Sequence, residues 1–225
     1  MRWVYYLGRV LIRILVFPLG NWVVQGRENL PARGPLLIVC NHLHLADSPI
    51  VASSIKLRSV FMAKEELWQN RWSRFWVENF GAFPVRRGGV DPESFRAAER
   101  WIKRGVCVIV FPEGRRSVGG GMQAALPGVA LLASRLGVPV LPVGIAGTDK
   151  FNNLWWSFLH RPRITVTIGR SFNPPAADGK LTRERRHQLV DTIMRKVADL
   201  LPPPYRGVYA GGEGASDSQP GEGRE

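Results

Sequence analysis

Apolar residues along the chain fall into two patterns that alternate between residue 35 and residue 171. Short runs rich in β-branched residues and bounded by turn formers predict strands at residues 36–40, 59–63, 82–85, 106–111, 139–145 and 163–169. Helical spacing of apolar residues predicts helices between several of them, at residues 64–79, 92–104 and 126–136. This alternation predicts an α/β fold with a largely parallel central sheet covered by helices. Ligands of such sheets bind at the strand ends and in the loops that follow.

The N-terminal segment, residues 1–29, has a different pattern. Arg9 and Arg13 interrupt its apolar positions, so it lacks the run of about 20 apolar residues that a membrane span needs. No small-residue cleavage site follows it, which disfavours a signal peptide. On a helix, Arg2, Arg9 and Arg13 fall near one face and apolar side chains cover the rest. This pattern predicts an amphipathic helix in the membrane interface, with the arginines facing lipid headgroups. The alternative is a helix packed on the domain with its arginine edge in water.

The C-terminal part predicts a last helix and then a tail. Residues 182–200 have helical spacing, and three consecutive prolines end that helix. Residues 202–225 are rich in Gly, Ser and acidic residues, which predicts disorder. The chain is therefore predicted to comprise an N-terminal membrane-binding segment, residues 1–29, one domain, residues 30–201, and a disordered tail. A chain of 225 residues suits one domain with a sizeable core.

The charge balance narrows the choice of partner. The chain has 31 Lys and Arg against 18 Asp and Glu, a net charge of +13, so it attracts nucleic acid, anionic lipid, phosphorylated substrates or an acidic carrier protein. No nucleic-acid recognition motif accompanies the charge, so nucleic acid is the poorest of these partners. The two cysteines, Cys40 and Cys107, lie inside apolar runs, which predicts buried thiols and a reducing compartment.

The stretch "NHLHLAD" follows a predicted strand and holds two of the four histidines. His42 and His44 have the spacing of metal ligands, because alternate residues of an extended chain point the same way, and Asp47 would be a third ligand. Metallohydrolases with this arrangement usually recruit further histidines. The remaining two, His160 and His187, have no second ligand-type motif beside them. A metal site is therefore the weaker interpretation.

The same residues fit a general base. A carboxylate five residues after His42 can reach the imidazole, fix its tautomer and leave the other ring nitrogen free to accept a proton. The ordinary His pKa of about 6.5 suits that role at neutral pH. The chain has no GxSxG motif and both cysteines are predicted to be buried, so the base would activate a hydroxyl of the substrate. Ser48 and Pro49 predict the N-cap and first position of a helix just after Asp47.

Two further polar clusters follow predicted strands. "FPEGRRS" places Glu113, Gly114 and Arg116 after one strand, and "GAFPVRRGG" places Arg86 and Arg87 after another. Arginines in such loops are suited to bind phosphate. The alternative for each arginine pair is a solvated surface. Three polar clusters at strand ends favour a single binding site.

With these motifs in this order, the chain resembles the glycerolipid acyltransferases of the lysophosphatidic acid acyltransferase type over about residues 30–170. The family's first motif, N-H-x-S-x-x-D, matches "NHLHLAD", and its third, F-P-E-G-T-R-S, matches "FPEGRRS". Its second, G-x-F-P-V-D-R-G, matches "GAFPVRRG", and its fourth, V-P-V-x-P-V, matches "VPVLPV". Three residues depart from the pattern and each adds positive charge or its potential: His44 replaces Ser, Arg86 replaces Asp, and Arg115 replaces Thr.

The resemblance implies transfer of a fatty acyl group from acyl-CoA or acyl-carrier protein to the 2-hydroxyl of 1-acyl-sn-glycerol-3-phosphate, which forms phosphatidic acid. It implies that His42 is the general base and that Asp47 orients it, with no covalent acyl-enzyme and no cofactor or metal. Residues expected to bind the acceptor are Arg87 for its phosphate, Glu113 and Arg116 for its hydroxyls and phosphate, and Gly114, which allows close approach.

The expected location is the cytoplasmic face of the cell membrane, with a peripheral or monotopic attachment. The expected partners are membrane lysophospholipid and either acyl-CoA or acidic acyl-carrier protein. Other lysophospholipids, glycerol-3-phosphate or another alcohol stay open as acceptors. A basic membrane-surface binding protein with a degenerate site is the non-enzymatic alternative, which the intact His42 and Asp47 disfavour.

Overall fold

Seven strands form the central sheet of the computed structural model, which describes residues 3–16, 18–79, 81–85, 91–117, 119–175 and 181–211. In chain order they are β1 (Asn21–Gln25), β2 (Leu37–Cys40), β3 (Ser59–Lys64), β4 (Ala82–Val85), β5 (Cys107–Val110), β6 (Val140–Ala146) and β7 (Arg163–Ile168). Their spatial order is β1-β7-β6-β2-β5-β3-β4. Neighbouring strands are parallel except β6 and β7, which are antiparallel. The structure confirms the predicted α/β fold with a largely parallel sheet.

Helices cover both faces of the sheet. In chain order they are α1 (Trp3–Val16), α2 (Asp47–Ser54), α3 (Arg71–Asn79), α4 (Pro92–Lys103), α5 (Gly128–Leu136), α6 (Leu154–His160) and α7 (Arg183–Ala198). Buried residues of α4, α5 and α7 form the core on one face, and those of α1 and α2 form the core on the other. In β2, Leu37 and Val39 join the first core, whereas Ile38 and Cys40 join the second. This two-sided burial explains why the central strands β2, β5 and β6 are continuously apolar.

The N-terminal segment contributes a strand to the sheet. β1 pairs in parallel with β7, so that Asn21 lies opposite Arg163 and Gln25 opposite Thr167. Residues 21–25 therefore belong to the domain, which corrects the boundary predicted between residues 29 and 30. The predicted helix at residues 64–79 is also divided, into a short 3-10 helix at Glu65–Trp68 and α3.

Helix α1 turns its described arginines towards the domain. Arg13 Nη2 donates to the Ser53 carbonyl at 2.9 Å, and Arg9 Nη2 donates to the Ile55 carbonyl. Both carbonyls lie at the C-terminal end of α2, where a helix leaves carbonyls without partners and favours cations. The large exposed apolar side chains of α1 are Tyr6, Leu7, Val10, Ile14 and Leu15. This orientation corrects the prediction that Arg9 and Arg13 face lipid headgroups; Arg2 lies outside the described residues.

No helix in the described part of the chain is both long and apolar enough to cross a bilayer. The C-terminal segment is partly ordered. Two short 3-10 helices at Pro203–Tyr205 and Gly207–Tyr209 follow α7. They pack on the loop after β5, because the Met122 amide donates to the Tyr205 carbonyl at 3.0 Å and the Val208 amide donates to the Met122 carbonyl at 3.1 Å. Residues 202–211 are thus structured, which corrects the predicted start of the tail; residues 212–225 lie outside the described residues.

The topology brings several loops to one edge of the sheet. β2, β3, β4, β5 and β6 are parallel and therefore end at the same edge, which we call the carboxyl edge. Because β7 is antiparallel to β6 and β1 is parallel to β7, both β7 and β1 begin at the carboxyl edge. Ligands of parallel sheets gather at this edge, so the predicted polar clusters lie where a site is expected.

Candidate active site

The end of β2 is fixed to β6 by a buried asparagine. The Asn41 amide nitrogen donates to the Ile145 carbonyl at 2.9 Å, and the Ile145 amide donates to the Asn41 side-chain oxygen at 2.8 Å. Both hydrogen bonds are buried, and Asn41 has no exposed surface. Buried amide groups that satisfy each other in this way fix both backbones. The residue that follows, His42, is therefore held at the carboxyl edge.

His42 and Asp47 form a hydrogen-bonded dyad. His42 Nδ1 lies 2.9 Å from Asp47 Oδ2. The His42 side chain is 15% exposed and that of Asp47 is fully buried. Because the carboxylate accepts from Nδ1, this nitrogen carries the proton and Nε2 is the free base. Among the described residues, no hydrogen bond engages Nε2, and the Phe111 ring packs against the imidazole with centroids 4.4 Å apart.

Asp47 is the most heavily hydrogen-bonded residue of the site. Its Oδ2 also accepts from the amides of Leu43 at 2.6 Å and His44 at 2.7 Å. Its Oδ1 accepts from Thr148 Oγ1 at 2.7 Å. Helix α2 begins at Asp47, two residues earlier than the predicted first position, Pro49. The carboxylate therefore lies at a helix N-terminus, where a negative charge is favoured.

His44 does not share the role of His42. Burial lowers the pKa of His44 below its ordinary 6.5, and the positive charge of Arg116 contributes to the lowering. Its Nδ1 accepts from the Ala46 amide at 3.2 Å, and its ring packs edge-on against Phe151. The ring is therefore neutral at neutral pH. The replacement of the family's Ser by His44 consequently does not add a positive charge to the site at neutral pH.

Glu113 joins the third motif to the first. Its Oε1 accepts from the His42 amide at 3.0 Å. Its Oε2 accepts from the Gln123 amide at 2.9 Å and from the Ser117 hydroxyl. The Ser117 amide in turn donates to the His42 carbonyl at 2.8 Å. Burial raises the pKa of the Glu113 carboxyl, which is 4% exposed. Both carboxylate oxygens are thus engaged with the protein: Oε1 holds the backbone of the dyad histidine, and Oε2 holds Ser117 and Gln123.

The rest of the "FPEGRRS" loop is more accessible. Gly114 has a φ of +67°, and a Cβ there would lie 2.7 Å from a methyl carbon of Leu126. The tight turn therefore requires glycine. Arg115 and Arg116 are exposed at the carboxyl edge. Their guanidinium groups are available to an anionic ligand, which is the role predicted for Arg116.

The remaining sequence predictions concern the second arginine pair, the cysteines and a metal site. Arg86 and Arg87 lie outside the described residues, so the predicted phosphate contact of Arg87 has no structural description. Cys40 and Cys107 are buried free thiols, as predicted, and burial raises the pKa of Cys107 to about 11. Across the described ranges, no group of three or more His, Cys, Asp and Glu is placed to hold a metal ion.

Sequence reasoning missed three residues that support the site. Thr148 donates to Asp47 Oδ1, Ser117 donates to Glu113, and Asn41 anchors β2. The motif match had included Asn41 and Ser117 but had given them no role. Thr148 follows Gly147, whose φ is +92°, at the end of β6. A polar residue just after a strand and a glycine is the signal that could have indicated it.

Comparison with known proteins shows which family the chain is similar to. A family model described as acyltransferase matches residues 21–146. A relative named 1-acyl-sn-glycerol-3-phosphate acyltransferase, from Bacillus subtilis, is 24% identical over 191 residues, which is 84% of this chain and 92% of that protein. The lyso-ornithine lipid O-acyltransferase of Pseudomonas aeruginosa is 30% identical over 116 residues, 51% of this chain and 44% of that protein. A crystal structure of the 1-acyl-sn-glycerophosphate acyltransferase from Thermotoga maritima superposes with a TM-score of 0.65 at 28% identity, and covers 88% of this chain and 78% of that chain.

Proposed function

The chain belongs to the acyltransferase family, and on that premise we propose that it is an O-acyltransferase that acylates the 2-hydroxyl of 1-acyl-sn-glycerol-3-phosphate. The product is phosphatidic acid, and the donor is a fatty acyl thioester of CoA or of acyl-carrier protein. Relatives named for this acceptor support the proposal. The observation that carries the mechanism is the contact of His42 Nδ1 with the buried Asp47 carboxylate at 2.9 Å.

The proposed chemistry is a direct attack of the acceptor on the thioester. His42 Nε2 accepts the proton of the 2-hydroxyl while the oxygen forms a bond to the thioester carbonyl carbon. Asp47 stabilises the imidazolium that results. When the tetrahedral intermediate collapses, the C–S bond breaks, and the imidazolium returns its proton to the departing thiolate. The buried state of Cys40 and Cys107 supports a mechanism without a cysteine nucleophile.

Matched substitutions of the two histidines test this mechanism. Purified full-length protein would be assayed for acyl transfer to 1-acyl-sn-glycerol-3-phosphate with acyl-CoA and with acyl-carrier protein. His42→Ala should abolish transfer and leave the circular dichroism spectrum unchanged, because Asp47 keeps its contacts with the Leu43 and His44 amides and the Thr148 hydroxyl. His44→Ser should remain active, since His44 lies outside the proton path. An active His42→Ala variant combined with an inactive His44→Ser variant would contradict the assignment of the base.

A second acceptor is supported by one relative. The Pseudomonas aeruginosa protein is named for lyso-ornithine lipid, which carries no phosphate. The same base would serve that acceptor, so the distinction lies with the groups that bind the headgroup. An assay with 1-acyl-sn-glycerol-3-phosphate, lyso-ornithine lipid and glycerol-3-phosphate in parallel would rank them by kcat/KM. Vesicle binding without transfer to any acceptor would favour a non-catalytic membrane-surface protein instead.

The proposed location is the cytoplasmic face of the membrane, with peripheral attachment through α1. The outer surface of α1 presents Leu7 at 52% and Ile14 at 62% exposure, whereas Arg9 and Arg13 are held by carbonyls of the domain. Apolar burial in the headgroup region would therefore drive attachment. A deletion of residues 1–25 would also remove β1, so point substitutions are the sharper test.

The attachment test replaces apolar residues of α1 without touching the sheet. Leu7→Ser with Ile14→Ser should release most of the protein from anionic vesicles in a sedimentation assay. Activity on a bilayer-embedded acceptor should fall more than activity on a short-chain soluble acceptor. High salt should weaken binding without abolishing it, because the basic body adds a screened attraction. Vesicle binding equal to that of the wild type would exclude α1 as the anchor.

A further inference from the structure

Helix α6 exposes an unusual set of aromatic and aliphatic side chains. Trp155 is 80% exposed, Leu159 is 73% exposed and Phe158 is 53% exposed. The helix is held firmly on the domain, because Asn153 caps its N-terminus at the Trp156 amide and the buried Ser157 hydroxyl donates to the Lys150 carbonyl at 2.9 Å. A rigid helix that turns large apolar groups outward indicates an interaction surface.

This surface lies at the carboxyl edge, beside the site. α6 connects the end of β6 to the start of β7, and both of these points lie at that edge. Thr148 and Phe151, which contact Asp47 and His44, belong to the 3-10 helix directly before α6. The surface is therefore part of the same structural unit as the supports of the dyad.

α6 also adjoins the segment that follows α1. The Asn21 amide donates to the Pro162 carbonyl at 2.9 Å, and Gly20 lies against Pro162 and Ile164. The C-terminal ends of α1 and α6 thus lead to touching segments at one edge of the sheet. The exposed apolar side chains nearest these ends are Ile14 and Leu15 of α1 and Leu159 of α6.

Other large apolar side chains of the described residues are exposed on segments that follow strands at the carboxyl edge. The large exposed apolar side chains outside α1 and α6 are Leu45, Trp72, Phe75, Leu126 and Val208. The first four lie on segments that leave a strand at the carboxyl edge. The amide of Val208 donates to the carbonyl of Met122, which lies on the segment that follows β5. Several segments that leave the carboxyl edge therefore expose large apolar groups.

The charge of these segments matches an anionic lipid surface. No Asp or Glu occurs from residue 1 to residue 27 or from residue 150 to residue 163. Lys150, Arg161 and Arg163 flank α6, and Trp156 stacks on His160 with centroids 4.5 Å apart. Tryptophan with basic neighbours is typical of groups that lie at headgroup level, where one side is apolar and the other is wet.

We propose that α6 is a second membrane-contacting element, which inserts Trp155, Phe158 and Leu159 into the interface of an anionic bilayer next to the active site. The proposal rests on the proposed function, because an acceptor embedded in a bilayer gives this surface its role. Together with α1, α6 would fix the orientation of the domain, since a single helical contact leaves rotation about its own axis free.

Site-specific labelling tests the contact directly. Cys40 and Cys107 are buried, so Leu159→Cys in the full chain can be labelled selectively with an environment-sensitive fluorophore such as NBD. A matched label at Lys103→Cys reports on the opposite edge, because Lys103 is exposed and lies just before the start of β5. With phosphatidylglycerol vesicles, emission at position 159 should shift to the blue and be quenched by spin-labelled lipid. Emission at position 103 should not change.

Three results of this experiment would overturn the proposal, and a fourth would separate it from the proposed function. Vesicle-bound protein whose label at position 159 stays unshifted would show that α6 faces water. A shift caused by acyl-carrier protein in the absence of vesicles would make α6 a donor-docking surface. A shift that depends only on protein concentration would make it a contact between copies of the chain. A label response in a protein without acyl transfer would contradict the proposed function and leave the membrane contact standing.

Surface substitutions give an independent readout. Trp155→Ser with Leu159→Ser should weaken vesicle binding at least about tenfold, because two large side chains lose their apolar burial. Activity on the bilayer-embedded acceptor should fall, whereas activity on a short-chain soluble acceptor should be retained. The matched variant Trp155→Phe with Leu159→Ile keeps the surface apolar and should bind as the wild type does. Equal binding by the Ser and the Phe/Ile variants would refute the proposal.

Discussion

Asp47→Asn isolates the charge of the dyad from its geometry. The two oxygens of Asp47 have different neighbours. Oδ2 accepts from His42 Nδ1 and from two backbone amides, whereas Oδ1 accepts, among the described residues, from the Thr148 hydroxyl alone. An asparagine must therefore place its oxygen towards His42, because an NH2 group there would face three donors. Its NH2 group then meets the Thr148 hydroxyl, which can rotate and accept. The fold and the tautomer of His42 should both survive the substitution.

The expected loss follows from the charge alone. In serine proteases, the Asp→Asn substitution in the catalytic triad lowers kcat by a factor of about 10⁴ and also places the histidine in the wrong tautomer. Here the tautomer is retained, so the loss should be smaller. An ion pair separated by about 4 Å is worth about 4 kcal/mol at an effective dielectric constant of about 20. Since about 1.36 kcal/mol corresponds to a factor of ten, kcat should fall about a thousandfold.

The assay compares kcat with a soluble acceptor and the unfolding midpoint in denaturant for wild type, Asp47→Asn and Asp47→Ala. Asp47→Ala leaves four donors without their acceptor, and the two buried ones, the Leu43 amide and the Thr148 hydroxyl, each cost about 1–3 kcal/mol. It should therefore lower both stability and activity, whereas Asp47→Asn should lower mainly activity. A kcat within about tenfold of wild type for Asp47→Asn would refute the role of the carboxylate charge.

Three further substitutions test the supports of the site. Thr148→Val keeps the shape of the side chain but removes a buried donor to a carboxylate, so it should lower the free energy of unfolding by about 1.5–3 kcal/mol and reduce kcat less than Asp47→Asn does; an unchanged unfolding midpoint would contradict this. Glu113→Gln should lower the free energy of unfolding by about 1–3 kcal/mol, because an NH2 group in place of either oxygen meets the backbone amide of His42 or Gln123. A variant with unchanged stability and a raised KM for the acceptor would instead support direct binding of the acceptor by Glu113. Arg87→Ala should raise the KM for a phosphorylated acceptor and leave that of the donor unchanged, since a charge-assisted contact is lost; a raised donor KM alone would assign Arg87 to the donor.

The sequence predicted the sheet well because its central strands β2, β5 and β6 are buried on both faces and therefore continuously apolar. The six predicted strands correspond to β2 through β7. β1 was missed because the sequence "NWVVQ" follows the apolar run of α1 so closely that both were read as one segment. α6 was missed because it has seven residues and turns its apolar groups outward, which reverses the pattern of an amphipathic surface helix.

Site residues were predictable where spacing along the chain determines the contact. The five-residue separation of His42 and Asp47 places their side chains together in one loop. The contacts of Thr148 and Glu113 join residues that are 101 and 71 positions distant from Asp47 and His42. Such contacts depend on strand order, which local pattern does not determine. Glu113 was therefore predicted as a ligand of the acceptor, although its carboxylate contacts the protein.

Helical periodicity groups the arginines of α1 on one face but does not show which way that face points. The direction is decided by unpaired carbonyls at the end of α2, which bind Arg9 and Arg13 and leave the apolar residues outside. An arginine face turned towards lipid would leave the apolar face to pack on the domain and would require other donors for these carbonyls. The structure instead satisfies the helix end and leaves the apolar side chains of α1 exposed. One set of hydrogen bonds thus positions α1 and directs its apolar surface outward, away from the domain.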